Sequence, residues 1–371
     1  FAEKPDQLDY LMPEDQRIIR HIQREPDFYR FGSWHFELNQ QAAIVAAVGH
    51  PRIFYPQDLN TPLELVQDKP ILEVRKTKQG YRFHLIPFPA EGSFVYVQPE
   101  GEHRVRVIEF DSAHLQIADW LGKKGLQVPA SAKSRILESL SAVAPVLTVH
   151  ADIEGAEAFG VADVEADTRV SIQIVPEGQG LHFDLYMRPL GESGPWLRPG
   201  EGLTQVLAEI DGQRVRTQRD FEAENASVQQ VLDACPALVA MLEHWQAAIA
   251  EPEQALAALQ QLQALGDEVS LNWPRGQRLR VSPDLTAQQM QIQVKKQRDW
   301  FGLEGQLALD DEQVVDMQHL LELLQQTPGR FVRLGEEQIL ALSDELRRRL
   351  ESLRAVSESG RVHPAAAATL A

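Results

Sequence analysis

Asp211-Gly212 separates two short stretches in which apolar and polar residues alternate. The stretches cover residues 206–210 and 214–217, and a period of two places alternate side chains on opposite faces of a strand. An Asp-Gly pair adopts the positive φ angles of a two-residue hairpin turn at low cost. The sequence therefore predicts an antiparallel hairpin over residues 206–217.

Similar alternation recurs along the chain, with helix-like stretches between the strands. Other strands are predicted over residues 28–38, 71–78, 81–87, 94–98, 104–110, 146–150, 170–175, 181–188, 269–273, 279–281, 290–294, 303–309, 331–334 and 339–342. Helices are predicted over residues 13–24, 39–48, 111–121, 132–144, 316–326 and from 343 onward, with three more between 219 and 264. The predicted fold class is α+β, with several small mixed units that combine antiparallel sheets and flanking helices.

Breaks in these patterns suggest the domain organisation. A length of 371 residues predicts roughly two or three domains. The predicted units are an N-terminal α+β unit at 1–128, a hairpin sheet plus helical segment at 129–265, a C-terminal α+β unit with a basic strand face at 266–357, and a linker at 358–371. The chain begins without Met and ends in an Ala-rich run, so we expect a piece of a longer protein.

Composition excludes several classes of protein. The net charge of −18 differs from the basic footprint of a simple DNA-binding domain, so any contact with nucleic acid must come from a local patch. A single cysteine, Cys235, excludes an internal disulfide and a zinc site built on several thiolates, and it fits a reducing cytoplasm. No apolar run approaches the about 18 residues that span a bilayer, so we expect no membrane partner.

An apolar run at residues 307–309 leads into Asp310, Asp311 and Glu312, as a strand delivers carboxylates to a magnesium–nucleotide site. Such a site also needs a Gly-rich loop with Lys and a hydroxyl residue. The nearest string, Gly122-Lys123-Lys124-Gly125, lacks both the preceding Gly and the hydroxyl. The acidic run is therefore predicted to be a turn, and no ATP site is expected in this chain.

The histidines are scattered, and no pair has the His-x-x-x-His or His-x-His spacing of a metal site. We therefore predict no metal site and no catalytic residue. One tight cluster remains, His150, Asp152 and Glu154, whose side chains would point the same way from a strand. It could serve acid–base or metal chemistry in an independent enzyme, or it could be a solvated strand end.

A basic segment interrupts the acidic chain between residues 269 and 300, where six basic residues stand against two acidic ones. If Leu279 and Val281 face the core, Arg278 and Arg280 face outward, and Lys295 does likewise from the strand at 289–296. Side by side, these groups would suit phosphate oxygens. The alternative is an exposed face that is merely solvated and paired with acids. The candidate DNA-binding residues are Arg275, Arg278, Arg280, Lys295, Lys296 and Arg298.

Six segments of the chain resemble the accessory region that precedes the motor in bacterial SWI/SNF-type helicase-like ATPases. The segments are APVLTVHADIEGAEA (144–158), RPLGESGPWLRPGEG (188–202), AEIDGQRVRTQRD (208–220), LQALGDEVSLNWPRGQRLRV (262–281), RDWFGLEGQLALDDEQV (298–314) and RFVRLGEEQILALSDELRRRLESL (330–353). The resemblance implies a DNA-stimulated ATP hydrolase whose two RecA-like lobes, with their ATP and magnesium, follow residue 371. The family's catalytic residues match no position here, and Asp311-Glu312-Gln313-Val314 lacks the final His of the helicase acid box.

The expected function is therefore that of a non-catalytic accessory region, without a cofactor of its own, that binds DNA or positions the motor lobes. An alternative is a protein-interaction or autoinhibitory module that acts through its acidic surface. The implied partners are DNA and the downstream ATPase lobes, with a protein partner as a further candidate, all in the cytoplasm.

Overall fold

Strands that are distant in sequence share sheets in this protein. The computed structural model describes residues 10–26, 34–100, 103–153, 161–297, 300–309, 313–327, 329–335, 337–358 and 361–362. Helices and strands form several small, mostly antiparallel or mixed sheets with helices packed against them, which confirms the predicted α+β class.

The helices are α1 (Pro13–Ile19), α2 (Gln40–Ala46), α3 (Ser112–Leu121), α4 (Lys133–Val143), α5 (Phe221–Ala234), α6 (Pro236–Met241), α7 (Pro252–Ala264), α8 (Met317–Gln326) and α9 (Asp344–Val356). The strands of the first half are β1 (Ile22–Pro26), β2 (Trp34–Leu38), β3 (Phe54–Tyr55), β4 (Asp58–Pro62), β5 (Glu64–Asp68), β6 (Ile71–Thr77), β7 (Gly80–Ile86), β8 (Val95–Pro99), β9 (Arg104–Glu109), β10 (Leu126–Val128), β11 (Thr148–Ala151), β12 (Ala162–Asp163), β13 (Val170–Glu177) and β14 (Gly180–Met187). Those of the second half are β15 (Gln205–Ile210), β16 (Gln213–Gln218), β17 (Gln246–Ile249), β18 (Val269–Asn272), β19 (Arg280–Leu285), β20 (Met290–Gln297), β21 (Trp300–Ala308), β22 (Val314–Asp316), β23 (Phe331–Arg333), β24 (Gln338–Leu342), β25 (Ser357–Glu358) and β26 (Arg361–Val362). Among the described residues, no helix has both the length and the apolar character needed to cross a bilayer.

A seven-stranded sheet has the order β10-β7-β6-β11-β15-β16-β12. The predicted hairpin forms its β15–β16 pair, with Asp211 at φ 50° and Gly212 at φ 77° in the turn. Strand β11 lies between β6, to which it is parallel, and β15, to which it is antiparallel. Apolar residues of α3 and α4 pack on this sheet to form one hydrophobic core.

A four-stranded sheet, β17-β14-β13-β18, lies at the centre of a second core. All of β14 is buried, and apolar residues of α5, α6 and α7 belong to the same core. Strand β18 joins this sheet in parallel to β13, with Val269 opposite Val170. The C-terminal part of the chain therefore begins inside the sheet of the central part.

The three-stranded sheet β19-β24-β23 separates two cores. Val281 and Ile339 face the core of the four-stranded sheet. Val332 and Leu340 face a further core to which α8 and α9 contribute. Because side chains alternate along a strand, this short sheet has apolar contacts on both faces.

The remaining strands form smaller sheets. A sheet of order β5-β9-β8 shares a core with residues of α1 and α2. Strands β1 and β2 pair, as do β3 and β4, and β20-β21-β26-β25 form another sheet with β22 also paired to β21. Gln173 of β13 donates a 3.0 Å hydrogen bond to Glu64 of β5, which links the N-terminal sheet to the central one.

Several predicted elements differ from the observed ones. The helix predicted over 13–24 ends at Ile19, and β1 begins at Ile22. Strand β17 interrupts the predicted helical segment between 219 and 264. The predicted boundaries at 128 and 265 do not coincide with breaks between sheets, because β6 pairs with β11 and β13 pairs with β18. Much of the predicted linker lies outside the described residues.

Candidate nucleic-acid interface

Two of the predicted DNA-binding residues lie at one end of the three-stranded sheet. Arg280 is the first residue of β19, and Arg278 belongs to the loop that precedes it. Both are exposed, whereas Val281 is buried and Leu279 packs against the central core. The predicted alternation of outward arginines and inward apolar residues is therefore correct over these four residues.

Gln263 of α7 fixes the backbone that carries these arginines. Its side-chain nitrogen donates to the Leu279 carbonyl at 3.0 Å, and its side-chain oxygen accepts from the Val281 backbone nitrogen at 3.0 Å. The Arg280 backbone nitrogen donates to the Glu337 carbonyl at 2.7 Å. These bonds fix the backbone around Arg280, so the two arginines are preorganised for a ligand.

Arg333 is a third basic residue at this end of the sheet, and it was not among the predicted DNA-binding residues. It is the exposed last residue of β23. A shallow groove of about 500 Å³ is lined by Arg278, Arg333, Glu337 and neighbouring residues. Arg333 is more than fifty positions from Arg278, so only the pairing of β23 and β19 with β24 brings their strand ends together. The apolar residues Phe331 and Val332 mark a strand here, but no alternation of apolar and polar residues singles out Arg333.

Arg275 has a different environment. Its side chain is 77% exposed, and one guanidinium nitrogen lies 3.4 Å from a carboxylate oxygen of Glu14 in α1. An exposed ion pair of this kind contributes little stability but partly neutralises the arginine. Arg275 therefore fits the alternative of an exposed basic residue paired with an acid better than that of a DNA-binding residue.

Lys295 and Lys296 lie on β20, opposite Gly302 and Phe301 of β21. Their side chains and the whole of Arg298 lie outside the described residues. Strand β19 pairs with β24 instead of β20, and a short 3₁₀ turn over Ala287–Gln289 leads the chain into the other sheet. The expectation that Arg278, Arg280 and Lys295 line up on adjacent strands is therefore wrong.

A second groove, of about 500 Å³, lies between the N-terminal sheet and the loop that follows β14. Five carboxylates and three basic side chains line it: Glu64, Asp68, Glu100, Glu192, Glu209, Lys69, Arg104 and Arg106. Burial raises the pKa of Glu64 and of Asp68, although Arg104 and Arg106 respectively oppose this. The acidic excess makes this groove suited to a cationic partner.

Arginine–aromatic contacts form one wall of this acidic groove. The guanidinium of Arg104 lies 3.9 Å from the ring centre of Trp196, and that of Arg188 lies 4.4 Å from it. Arg104 is also 3.5 Å from Glu100, and Arg106 is 3.3 Å from Asp68. Stacking and ion pairing therefore hold the buried Arg104 and Arg188 and the half-buried Arg106 in fixed positions.

The other predicted sites can also be located. His150 is buried in β11, whereas Asp152 is exposed and Glu154 lies outside the described residues. This burial difference does not support a shared acid–base site. The acidic run Asp310–Glu312 is outside the described residues too, although β21 does carry the apolar run up to Ala308. Cys235 is buried, and burial raises the pKa of its thiol, which disfavours the reactive thiolate.

The chain matches no model of a known protein family and no curated protein sequence.

Proposed function

We propose that this chain is a non-catalytic accessory region of a cytoplasmic, DNA-dependent ATPase of the bacterial SWI/SNF type, which binds DNA or positions the motor lobes. The observation that carries the proposal is the exposed pair Arg278 and Arg280, held by Gln263 at the sheet end that also carries Arg333. The resemblance of the six sequence segments supplies the type of motor. ATP and magnesium would belong to the motor lobes of the longer chain.

The expected contact is with the phosphate backbone. Guanidinium groups donate paired hydrogen bonds to phosphate oxygens, and such contacts position a protein without reading sequence. The net charge of −18 opposes DNA at longer range, so binding should be weak and confined to the local basic patch. Each phosphate contact releases counterions, which makes the affinity depend steeply on salt.

Replacing both Arg278 and Arg280 with alanine is expected to weaken duplex DNA binding about tenfold at low salt. The slope of log affinity against log salt should fall by about two, one for each lost phosphate contact. Fluorescence anisotropy of a labelled duplex, titrated at several salt concentrations, measures both quantities.

The matched control replaces Arg348 and Arg349 of α9 with alanine, which removes the same charge from another exposed surface. It is expected to leave the salt slope close to that of the unchanged protein. If the two double variants weaken DNA binding equally, the loss of net charge alone explains the effect. An unchanged salt slope in the Arg278 and Arg280 variant would refute DNA binding at this surface.

The acidic groove supports a second candidate function, a protein-interaction or autoinhibitory module. Glu192 is exposed and Glu209 is half-buried at this groove, where a basic partner segment could reach them.

Replacing both Glu192 and Glu209 with glutamine should weaken binding of an arginine-rich peptide about tenfold. The control, Glu138→Gln with Glu322→Gln at exposed helix positions, should leave that binding unchanged. Isothermal titration calorimetry measures the difference, and equal affinities for all three proteins would exclude this groove as the peptide-binding site.

For autoinhibition, removing residues 1–357 from the motor-bearing chain should raise its ATPase rate.

A further inference from the structure

His103, Glu177 and His182 come together where the N-terminal sheet meets the central one. One nitrogen of each histidine and one carboxylate oxygen of Glu177 all lie within 4.8 Å of one another. Oε2 of Glu177 is 3.6 Å from Nε2 of His103 and 3.7 Å from Nδ1 of His182. Two imidazoles and a carboxylate form one of the common ligand sets of catalytic zinc sites.

The fold places the two hairpin ligands by strand register. Glu177 is the last residue of β13 and pairs with Gly180 of β14, so His182 is its diagonal neighbour on the same face. His103 immediately precedes β9, and its carbonyl accepts a 2.8 Å hydrogen bond from the Glu64 backbone nitrogen. The three ligands therefore come from backbone that two sheets hold in position.

The separations of the Glu177 oxygen from the two histidine nitrogens fit a small divalent cation better than direct hydrogen bonding. Ligands roughly 2.0–2.1 Å from a tetrahedral zinc ion lie about 3.3 Å apart. The observed 3.6 and 3.7 Å are beyond a normal hydrogen bond and within a few tenths of an ångström of that spacing. The imidazole rings are 5.0 Å apart and nearly perpendicular, so both can aim a nitrogen at one point.

Nε2 of His103 is buried and has no hydrogen-bond partner, and the side chain of His103 is only 9% exposed. A buried ring nitrogen without a partner is unfavourable unless something occupies its lone pair. Glu177 is 36% exposed, so the cluster opens to solvent on the carboxylate side. A cation could enter there, and water could complete its coordination.

A second carboxylate supports His182 from behind. Nε2 of His182 lies 3.3 Å from Oδ2 of Asp184, on the opposite side of the ring from Glu177. Asp184 in turn accepts hydrogen bonds from Gln246 at 2.6 Å and from Arg198 at 3.1 Å. A carboxylate on the remote nitrogen of a histidine fixes its tautomer and orientation, as is usual for metal-ligating histidines.

We propose that His103, Glu177 and His182 form a binding site for a divalent transition-metal ion of the zinc type, with Asp184 as the positioning residue for His182. The ion joins the β13–β14 hairpin to the start of β9 and leaves at least one coordination position for water. The two histidines are far apart along the chain and only the fold brings them together, so their spacing in the sequence predicts no metal site.

The test uses tag-free protein that has been treated with EDTA and dialysed, and zinc alone is the titrant in isothermal titration calorimetry. We expect one zinc ion per chain, and the melting temperature should rise when zinc is added because the ion binds the folded state. Cobalt should substitute and give the visible absorption band of a tetrahedral site.

Glu177→Gln and His103→Gln should each weaken zinc binding about tenfold or more, and the cobalt band should weaken or disappear. His319→Gln, at an exposed position of α8, is the matched control and should bind zinc as the unchanged protein does. Circular dichroism without metal checks that each variant folds. Glu177→Gln should remain folded because Glu177 is partly exposed. The absence of stoichiometric binding, or equal binding by the Glu177→Gln protein, would overturn the site.

Discussion

Replacing Arg219 with methionine is expected to lower the free energy of unfolding by about 3–5 kcal/mol. Arg219 and Glu224 form two parallel hydrogen bonds, Nε to Oε1 and Nη2 to Oε2, each at 2.7 Å. Their side chains are 0% and 1% exposed. The substitution leaves the Glu224 carboxylate buried without its partner, and that uncompensated charge is the source of the loss.

The same arginine also fixes the loop between β14 and β15. Its guanidinium donates to the backbone carbonyl of Glu201 and, at 3.3 Å, to that of Arg198. Glu224 accepts a long 3.5 Å hydrogen bond from the Gly200 nitrogen. Loss of Arg219 should therefore loosen this loop as well as destabilise the start of α5.

A double variant, Arg219→Met with Glu224→Leu, tests the physical reason. It removes both charges and should recover most of the lost stability, since replacing a buried ion pair by apolar residues is often neutral. Arg349→Met, which breaks an exposed pair with Glu345, is the control and should change stability by no more than about 0.5 kcal/mol. Urea unfolding measures all four proteins, and a double variant as unstable as Arg219→Met would contradict the uncompensated-charge account.

Local features were predicted well because neighbouring residues determine them. Asp211-Gly212 specified the β15–β16 turn, and Ser343 accepts a hydrogen bond from the Leu346 nitrogen at the start of α9, as expected of a cap. An i,i+4 ion pair between Glu345 and Arg349 is also present at 2.8 Å. Each of these features lies within a few positions along the chain.

Features that depend on which strands pair were not predictable from local patterns. Strand β17, Gln246–Ile249, is short and lies among Ala- and Leu-rich helices, so its composition resembles theirs. Arg278, Arg280 and Lys295 were expected side by side on adjacent strands, but β19 and β20 belong to different sheets. His103 and His182 show no motif spacing, since one precedes β9 and the other lies in β14. Alternation predicts the face a residue occupies, but the identity of its neighbour depends on long-range pairing.

Strand pairing also connects the predicted units. The seven-stranded sheet contains β6 and β7 from the predicted N-terminal unit and β15 and β16 from the next one. The central core contains Val170 from the second predicted unit together with Val281 and Ile339 from the third. Because the units share a sheet and a core, a perturbation in one is expected to alter packing in the next, which would suit a region proposed to position a motor.

Stability is expected to fall in mild acid because His150 is buried in this shared seven-stranded sheet. Desolvation lowers the pKa of His150 from 6.5 to about 4, with a further lowering by Arg219, while Glu73 opposes the shift and Arg106 adds to it. Above the pKa of the unfolded state, the His150 imidazole is neutral in both states, so its contribution to the free energy of unfolding is constant. Below it the unfolded state binds a proton that the folded state does not, so stability is lost as the pH falls from 6.5 towards about 4.

Comparing the protein with His150→Gln isolates this contribution. Between about pH 7 and about pH 5 the protein should lose about 2 kcal/mol more stability than the variant, at about 1.36 kcal/mol per pKa unit. Thr148→Val, at another buried position of β11, changes no titratable group, so its stability difference from the unchanged protein should be the same at both pH values. Urea unfolding at the two pH values measures the differences. A parallel loss in the protein and His150→Gln would show that other groups cause the acid sensitivity, because glutamine cannot take up the proton that a buried histidine resists.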